Sequence, residues 1–485
     1  MLAAALSGLG VFLRIPVIGI PVGADVGPYV LLYALTAAVI AKMDSFYVAT
    51  VAGVCIGIIE QCMYYWSRYA NLGSALMLPI LLVAMLTQRG RLSRGEDSGV
   101  ATWSMAKEFR PIPPELLRVP EVEWGRFGAM ALTVVGVVAL PYVIAYQRQI
   151  LLSVIVIYAI VAVSVVMLTG WAGQISMGQW GIAGVGTVVA SLMTFTWHQN
   201  FFLTLLVAGI VGSLASLIIG LPAIRIQGLY LAVATFAFGF VVQVYLMSPN
   251  YFHSILPGTL DQIPRPKLYG RFNIDKDHPR AFYFVCLAFL VLALISARMF
   301  RRSRAGRVII AARDNERGAA SYGISIARAR LTAFVISGFW AAVAGALFAF
   351  QAQTVNQGDF DPNESLLLLT IVVLGGVTSL PGAMLGTAFI GLLKYGGLNP
   401  NTQILASGAG VLVILYVAPG GVAQWFYGAR DGILRWIADR RGIIVPSLLA
   451  DSRDDSGQDL DTAQALQVAA QAPVFAAAEE VGSPA

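Results

Sequence analysis

Apolar residues along this chain gather in long unbroken runs, at 128–146, 150–169, 201–221, 229–247, 281–297, 331–350 and 403–418. Each run comes close to the roughly 20 residues that a helix needs to cross about 30 Å of hydrocarbon. Strands of a membrane barrel alternate apolar and polar positions over segments of about ten residues, and these runs do not alternate. The pattern predicts an all-α polytopic membrane protein, a transmembrane helical bundle of about eleven hydrophobic segments. Composition points the same way. Of 485 residues, 58% are hydrophobic and 12% charged, against about 25% charged in a soluble domain. That leaves too little polar surface to cover a globule in water.

The polar stretches between runs set organisation and orientation. Arginines crowd between Arg298 and Arg330, with Arg301, Arg302, Arg304, Arg307, Arg313, Arg317 and Arg328 among them, and again at Arg89, Arg91 and Arg94. Basic residues collect on the cytoplasmic side of a membrane protein. This predicts a multi-pass protein of the plasma (inner) membrane with a cytoplasmic 299–330 loop. About six runs separate Arg126 from Arg298, an even number as the topology needs, and the 249–280 loop then lies outside. Residues 93–127, with Pro111, Pro113, Pro114 and Pro120, read as a cytoplasmic linker. Residues 430–485, rich in Asp, Ala and Gln from Asp451 onward, read as a cytoplasmic, largely disordered tail. The apolar start Met1–Gly10 lacks a basic region ahead of it and reads as the stump of a membrane helix rather than a secretory signal. The net charge of +6 sits in loops, without the basic patches that read nucleic acid. Membrane lipid is the expected neighbour, and no nucleic acid is expected. Three cysteines and three histidines, with no Cys/His ligand spacing, predict no metal site.

Self-comparison aligns 365–395 on 31–61 without gaps: Val39 meets Val373, Ser45 meets Ser379, Ile56 meets Ile390 and Gly57 meets Gly391. Two unrelated membrane hairpins could match as weakly by chance. A true repeat makes 1–92 the C-terminal helices of a partial first unit, ahead of a complete unit at 128–429.

Three stretches and two single carboxylates carry candidate chemistry. GWAGQISMGQWGIAGVG at 170–186 predicts a broken or re-entrant helix, with Gly173 and Gly178 permitting irregular backbone and Gln174, Ser176 and Gln179 at membrane depth. Backbone leaves a helix inside a bilayer only where it lines a cavity or is buried in protein. Gln174 and Ser176 therefore suit a solute pathway, while Gly184 and Gly186 suit close helix packing. Thr235, in Gly228–Thr235, is a mid-membrane hydroxyl that either bonds back to its own helix or meets a solute. The charged segment 301–330 centres on Arg313-Asp314-Asn315-Glu316-Arg317, with Gly323 placed for a left-handed helix end. It is either a docking helix for a soluble partner or a solvated loop that fixes topology. Glu60 and Glu364 stand at the margins of apolar runs, where ionisable groups are functional candidates. No GxSxG, HExxH or Walker motif appears, so enzyme chemistry has no support and the chain is not itself an ATPase. A secondary transporter or channel would also use a broken helix, but the chain lacks the Asp/Glu/His relay expected for ion coupling.

Together these stretches resemble the permease subunits of branched-chain amino-acid ABC importers, a family that includes urea importers. Gly170, Ala172, Gly173, Gln174, Ile175, Ser176 and Gly178 are similar to its G-x-A-G-Q-[LI]-S-x-G. Arg225, Gly228, Tyr230 and Thr235 are similar to R-x-x-G-x-Y-x-A-x-x-T. Arg313-Asp314-Asn315-Glu316 with Ala319, Ala320, Gly323 and Ile324 resembles R-D-N-E-x-A-A-x-x-G-I, and Val373–Gly376 with Ser379 and Gly382 resembles V-L-G-G-x-x-S-x-x-G. The match runs in order over 128–425, and 1–92 resembles the end of a companion permease. Gln179-Trp180-Gly181 departs from the family pattern, and Phe240 stands where the family carries a carboxylate.

The resemblance implies a transport permease, not an enzyme, that binds no cofactor. Separate ABC ATPase subunits would use ATP and dock on Arg313, Asp314, Asn315, Glu316 and Gly323. An extracytoplasmic solute-binding protein and a companion permease or second copy would complete the system. The translocation pathway would involve Gly173, Gln174, Ser176, Gly178 and Thr235. The solute would be a branched-chain amino acid, or alternatively urea or a short amide.

Overall fold

The structure is a computed structural model. It describes residues 26–42, 44–65, 119–224, 228–248, 279–395 and 420–441, with separate positions at 5, 8–10, 12, 13, 76, 79–81, 83, 84, 112, 113, 116, 263, 267, 268, 272, 273, 412, 413, 416 and 417. The Arg225–Gln227 step, the 249–262 loop, 264–266 and everything from 442 lie outside the described residues.

Among the described residues, six helices are long and apolar enough to cross a membrane, and three shorter apolar helices accompany them. In chain order the elements are α1 (Val26–Ile40), α2 (Phe46–Tyr65), α3 (Pro120–Val143), α4 (Tyr146–Val165), α5 (Gln179–Ser191), α6 (Phe201–Gly220) and α7 (Leu229–Val241). After them come α8 (Pro279–Arg302), α9 (Arg304–Asp314), α10 (Glu316–Ser321), α11 (Ile326–Ala352), α12 (Asn363–Gly375), α13 (Leu380–Tyr395) and α14 (Val422–Arg441). The protein is an all-α polytopic membrane protein. The exception to helix among the described residues is a ribbon of two-residue strands that pairs Lys267 with Asn273 and Leu268 with Phe272.

Contacts divide the chain into two compact units, residues 1–108 with 139–425, and 109–138 with 426–485. In the smaller unit, Leu116, Val119 and Val122 bury against Leu434, Ile437 and Ala438, and Arg441 pairs with Glu121. Both regions differ from the sequence expectation. Helix α3 begins at Pro120, inside the expected linker, because proline suits the first helical position and Glu121 and Glu123 in the first turn favour the helix dipole. The expected disordered tail starts as helix, since α14 runs to Arg441 with an apolar face to bury.

In the larger unit, α11 is the hub, packed against α4, α5 and α6. Helix α6 shows why these sequences associate in lipid. Leu206, Ile210, Leu214 and Ile218 recur every four residues and are exposed, while Ala208, Gly209, Gly212, Ser216 and Gly220 are buried. The bulky face looks outward, as suits lipid, and the small face lets backbones approach. A Cβ on Gly212 would strike Ala342, and one on Gly338 would strike Ser216. Ser216 Oγ donates to Phe334 O at 2.7 Å and Thr187 Oγ1 to Gly345 O at 2.6 Å, tying α6 and α5 to α11. Gly184 and Gly186 have this packing role: a Cβ on Gly184 would meet Val242 and Met247, and one on Gly186 the Ala342 backbone.

The two stretches aligned in the sequence adopt the same form. Each is a helix, a short break and a second helix, α1–α2 and α12–α13. In each break the aligned serine accepts from the amide three residues on, Ser45 Oγ from Val48 N at 3.4 Å and Ser379 Oγ from Gly382 N at 3.1 Å. The α1–α2 hairpin packs on α7, with Ala37, Ala52 and Ile56 against Phe236, Ala237 and Phe240. Phe240, where the family pattern has a carboxylate, is fully buried in this contact.

Candidate translocation and coupling site

Helix α4 ends in a π-helical turn, Val166–Trp171, and residues 172–178 are irregular before α5 starts at Gln179. The break is thus shorter than 170–186, and its second half is helix. Trp171 closes the 24-residue span Arg148–Trp171, so the break begins at the end of the bundle where Arg301 and Arg313 gather. Arg301 lies 5.7 Å over the Trp171 ring. The chain then turns back into the bundle until Met177 N donates to Thr235 Oγ1 at 2.9 Å. Thr235 lies six residues past the start of α7, roughly 9 Å along it.

Local chemistry holds this shape. Gly173 takes φ +67, a conformation glycine adopts without steric cost. Thr169 Oγ1 donates to Gln174 O at 3.1 Å, and Gln174 N donates to Leu168 O at 3.1 Å, closing the turn on itself. A Cβ on Gly178 would strike the Thr235 backbone, so glycine is required where the segment meets α7. Thr235 meets both expectations for a hydroxyl in part, donating back to Ala232 O at 2.9 Å while accepting from Met177. Gly178 N donates to Ser176 Oγ at 3.4 Å. Gln174 Nε2 donates to Ala172 O at 3.3 Å, but Gln174 Oε1 and Gln179 Nε2 are buried without a hydrogen-bond partner among the described residues. Most buried polar atoms are satisfied, so these two are available to a further group.

The sequence separates the glycine segment from Arg313 by about 140 positions, and the fold brings them together. Arg313 Nη1 donates to Gly170 O at 2.6 Å, and its aliphatic stem lies over Gly173, where a Cβ would come within 2.8 Å of Arg313 Cγ. The carbonyls at the end of α4 carry the negative end of the helix dipole, which a guanidinium stabilises. Arg313 also pairs with Asp314 at 2.7 Å.

The other predicted coupling residues stay with α9–α11 rather than reaching the glycine segment. Asn315 caps α10 by accepting from Gly318 N at 2.8 Å, and Glu316 pairs with Arg330 at 2.8 Å. Gly323, at φ +76, ends α10 as expected. Ile324 N donates to Ala319 O at 3.2 Å and Gly323 N to Ala320 O at 3.0 Å, the paired bonds of a Schellman end. Tyr322, beside it, is 89% exposed.

Sequence reasoning missed the residues that brace the segment from α12 and its surroundings. Trp171 Nε1 donates to Thr378 O at 3.2 Å, Trp180 N to Ser365 Oγ at 3.2 Å and Trp180 Nε1 to Asp359 O at 3.0 Å. Two tryptophans flanking a glycine-rich break were the available signal, since a buried indole N–H needs an acceptor. Among the described residues no group of three or more His, Cys, Asp or Glu is placed to hold a metal ion.

A lipid-facing helical bundle with an irregular, glycine-lined segment inside it defines a polytopic membrane transport protein. Residues 148–417 match the model of the branched-chain amino acid transport system permease component, and the chain belongs to that family. It is 29% identical over 313 residues, 60% of this chain and 73% of the relative, to the high-affinity branched-chain amino acid transport system permease protein LivM of Salmonella typhimurium. It is also 24% identical to LivH of the same organism over 287 residues, 55% of this chain and 90% of the relative. The autoinducer 2 import system permease protein LsrC of Enterobacter sp. is 37% identical over 109 residues, 21% of this chain and 32% of the relative. No solved structure matches the chain.

Proposed function

We propose that this chain is the membrane-spanning subunit of an ATP-driven importer of branched-chain amino acids. Family membership and the similarity to LivM and LivH support the solute class. The observation that carries the mechanism is the bond from Arg313 to Gly170 O at 2.6 Å. Through it, α9–α10 and the glycine segment move together.

In this reading a separate ATPase subunit docks on the surface formed by Asp314, Asn315, Glu316, Gly323 and Tyr322 at the cytoplasmic face. ATP is used there, and this chain binds no cofactor of its own. Movement of α9–α10 pulls or releases the end of α4 through Arg313. It thereby reshapes the stretch from Gly173 to Gly178 against Thr235, and the pathway alternates between its two sides. Gln174 Oε1 and Gln179 Nε2 are the polar atoms with which a passing solute can bond. A solute-binding protein delivers from outside, and a companion permease or second copy forms the other half. Residues 1–92 act as the end of a first permease unit, whose α1–α2 hairpin packs on α7.

The test is uptake of labelled leucine and labelled urea into cells carrying this chain with its ATPase and binding-protein partners, with and without ATP depletion. ATP-dependent leucine uptake is expected. ATP-dependent urea uptake alone would keep the mechanism and replace the solute. Uptake that survives ATP depletion would overturn the importer reading in favour of a secondary transporter or channel.

A further inference from the structure

Glu364 is bonded on both carboxylate oxygens. Tyr158 Oη donates to Oε2 at 2.7 Å, and Lys394 Nζ lies 2.5 Å from Oε1. Lys394 also stands 5.6 Å from the centre of the Tyr158 ring. The three side chains come from α4, α12 and α13. Tyr158 lies ten residues past Arg148 in the span Arg148–Trp171. Glu364 is the second residue of α12 and Lys394 the last but one of α13, so the Tyr158 hydroxyl reaches from within that apolar span to two charges at helix ends.

Ionisable groups set among apolar membrane helices are functional candidates. Replacing a buried ion pair with apolar residues is often neutral or stabilising and an exposed pair adds little, so stability does not explain these two partly buried charges. They are also not sealed away, since the Lys394 and Glu364 side chains remain 28% and 23% exposed. Beside them lies a cavity of about 10 Å³ whose wall includes Tyr158, Lys394 and the branched aliphatic side chains of Ile155, Leu367, Ile371 and Ile390. One water needs about 10–15 Å³, so the cavity is closed to any solute in this state.

We propose that the Glu364–Lys394 pair is a zwitterion site on the translocation path, an inference that rests on the amino-acid reading above. When α12 and α13 part, the solute ammonium takes the place of Lys394 at Glu364. The solute carboxylate takes the place of Glu364 at Lys394, and Tyr158 holds Glu364 in position. Neither protein charge is left unpaired, because the pair closes on itself when the solute leaves. The four aliphatic side chains face a branched aliphatic solute side chain. Urea, which has no such pair of charges, gains nothing here.

The experiment uses proteoliposomes holding the complete importer and reads leucine delivered and ATP hydrolysed together. Glu364→Gln and Lys394→Met are each expected to raise the ATP hydrolysed per leucine delivered at least ten-fold. Tyr158→Phe, which preserves the packing, is expected to raise it two- to five-fold, and it keeps the test open if a charge variant fails to assemble. With the unaltered importer, 3-methylbutylamine and 4-methylpentanoate, each lacking one charge of leucine, are expected to inhibit uptake at least ten-fold less than valine does. Variants whose uptake and hydrolysis fall in proportion, or that behave as the unaltered protein, would overturn the site, as would equal inhibition by the one-charge compounds. Absence of ATP-driven leucine uptake by the unaltered importer would instead overturn the function on which the site rests.

Discussion

Replacing Gly173 with alanine tests the contact between the two candidate segments. Gly173 sits at φ +67, and a residue with a Cβ in that region costs about 1–2 kcal/mol. The new methyl would also lie 2.8 Å from Arg313 Cγ. A long side chain normally moves aside, but Arg313 is anchored by its 2.6 Å bond to Gly170 O. A hydrogen bond from a charged donor contributes about 1.5–3 kcal/mol, so G173A should lose roughly 2.5–5 kcal/mol in total. Gly323→Ala is the control. Its φ is +76 and no heavy atom lies within 4 Å of the new Cβ, so only the backbone cost of about 1–2 kcal/mol applies. The assay is reversible unfolding of the purified protein in mixed micelles by SDS titration. In an Arg313→Ala background the clash and the bond are both gone, and G173A should fall to the control's cost. The cycle then gives a coupling of about 1.5–3 kcal/mol. Equal losses for G173A and G323A, or additive losses in the double variant, would refute the reasoning.

Further outcomes follow from single contacts. Gly345→Val would drive a side chain into the Ala183 backbone; overpacking costs about 1–3 kcal/mol, and the variant should show a lowered unfolding midpoint in the same titration. Tyr322→Ala removes an 89% exposed ring, so its unfolding free energy should stay within about 0.5 kcal/mol while association with the ATPase subunit, read by co-purification and titration, weakens at least ten-fold. Burial holds the Asp359 carboxyl above its ordinary range, opposed by a bond from Asn356. A raised folded pKa means that ionisation destabilises the fold as pH rises. Asp359→Asn should therefore raise the melting temperature at pH 7, and the gain should shrink as pH falls from the raised folded pKa toward the ordinary carboxylate range. A gain that is constant with pH would contradict this.

The helical bundle was legible because lipid forces backbone bonds to be satisfied within a helix, so long apolar runs such as 150–169 have one stable form. The break at 172–178 was legible through Gly173 and Gly178, whose spacing interrupts the run. Its extent was not, because Gln179 to Gly186 carry the same glycine-rich composition as the break yet form a helix whose glycines pack closely on α7 and α11. The cap of α10 at Gly323 followed from local chemistry. The contact of Arg313 with Gly170 did not, since a polar segment between runs gives no sign of which helix end its arginine will reach. Lys394 was missed for a related reason. It ends an apolar run and reads as an interface residue until the fold sets it against Glu364 and Tyr158. The start of α3 at Pro120 was hidden by four prolines that read equally well as a linker.

In the proposed mechanism Arg313 carries motion between the surface on which an ATPase subunit would dock and the glycine segment. The direct measurement is leucine delivered per ATP hydrolysed in proteoliposomes that hold the complete importer with Arg313→Ala. Loss of a charged bond of about 1.5–3 kcal/mol predicts a fall in this ratio of at least ten-fold. A ratio equal to that of the unaltered protein would contradict the claim that the contact transmits the work of ATP to the pathway.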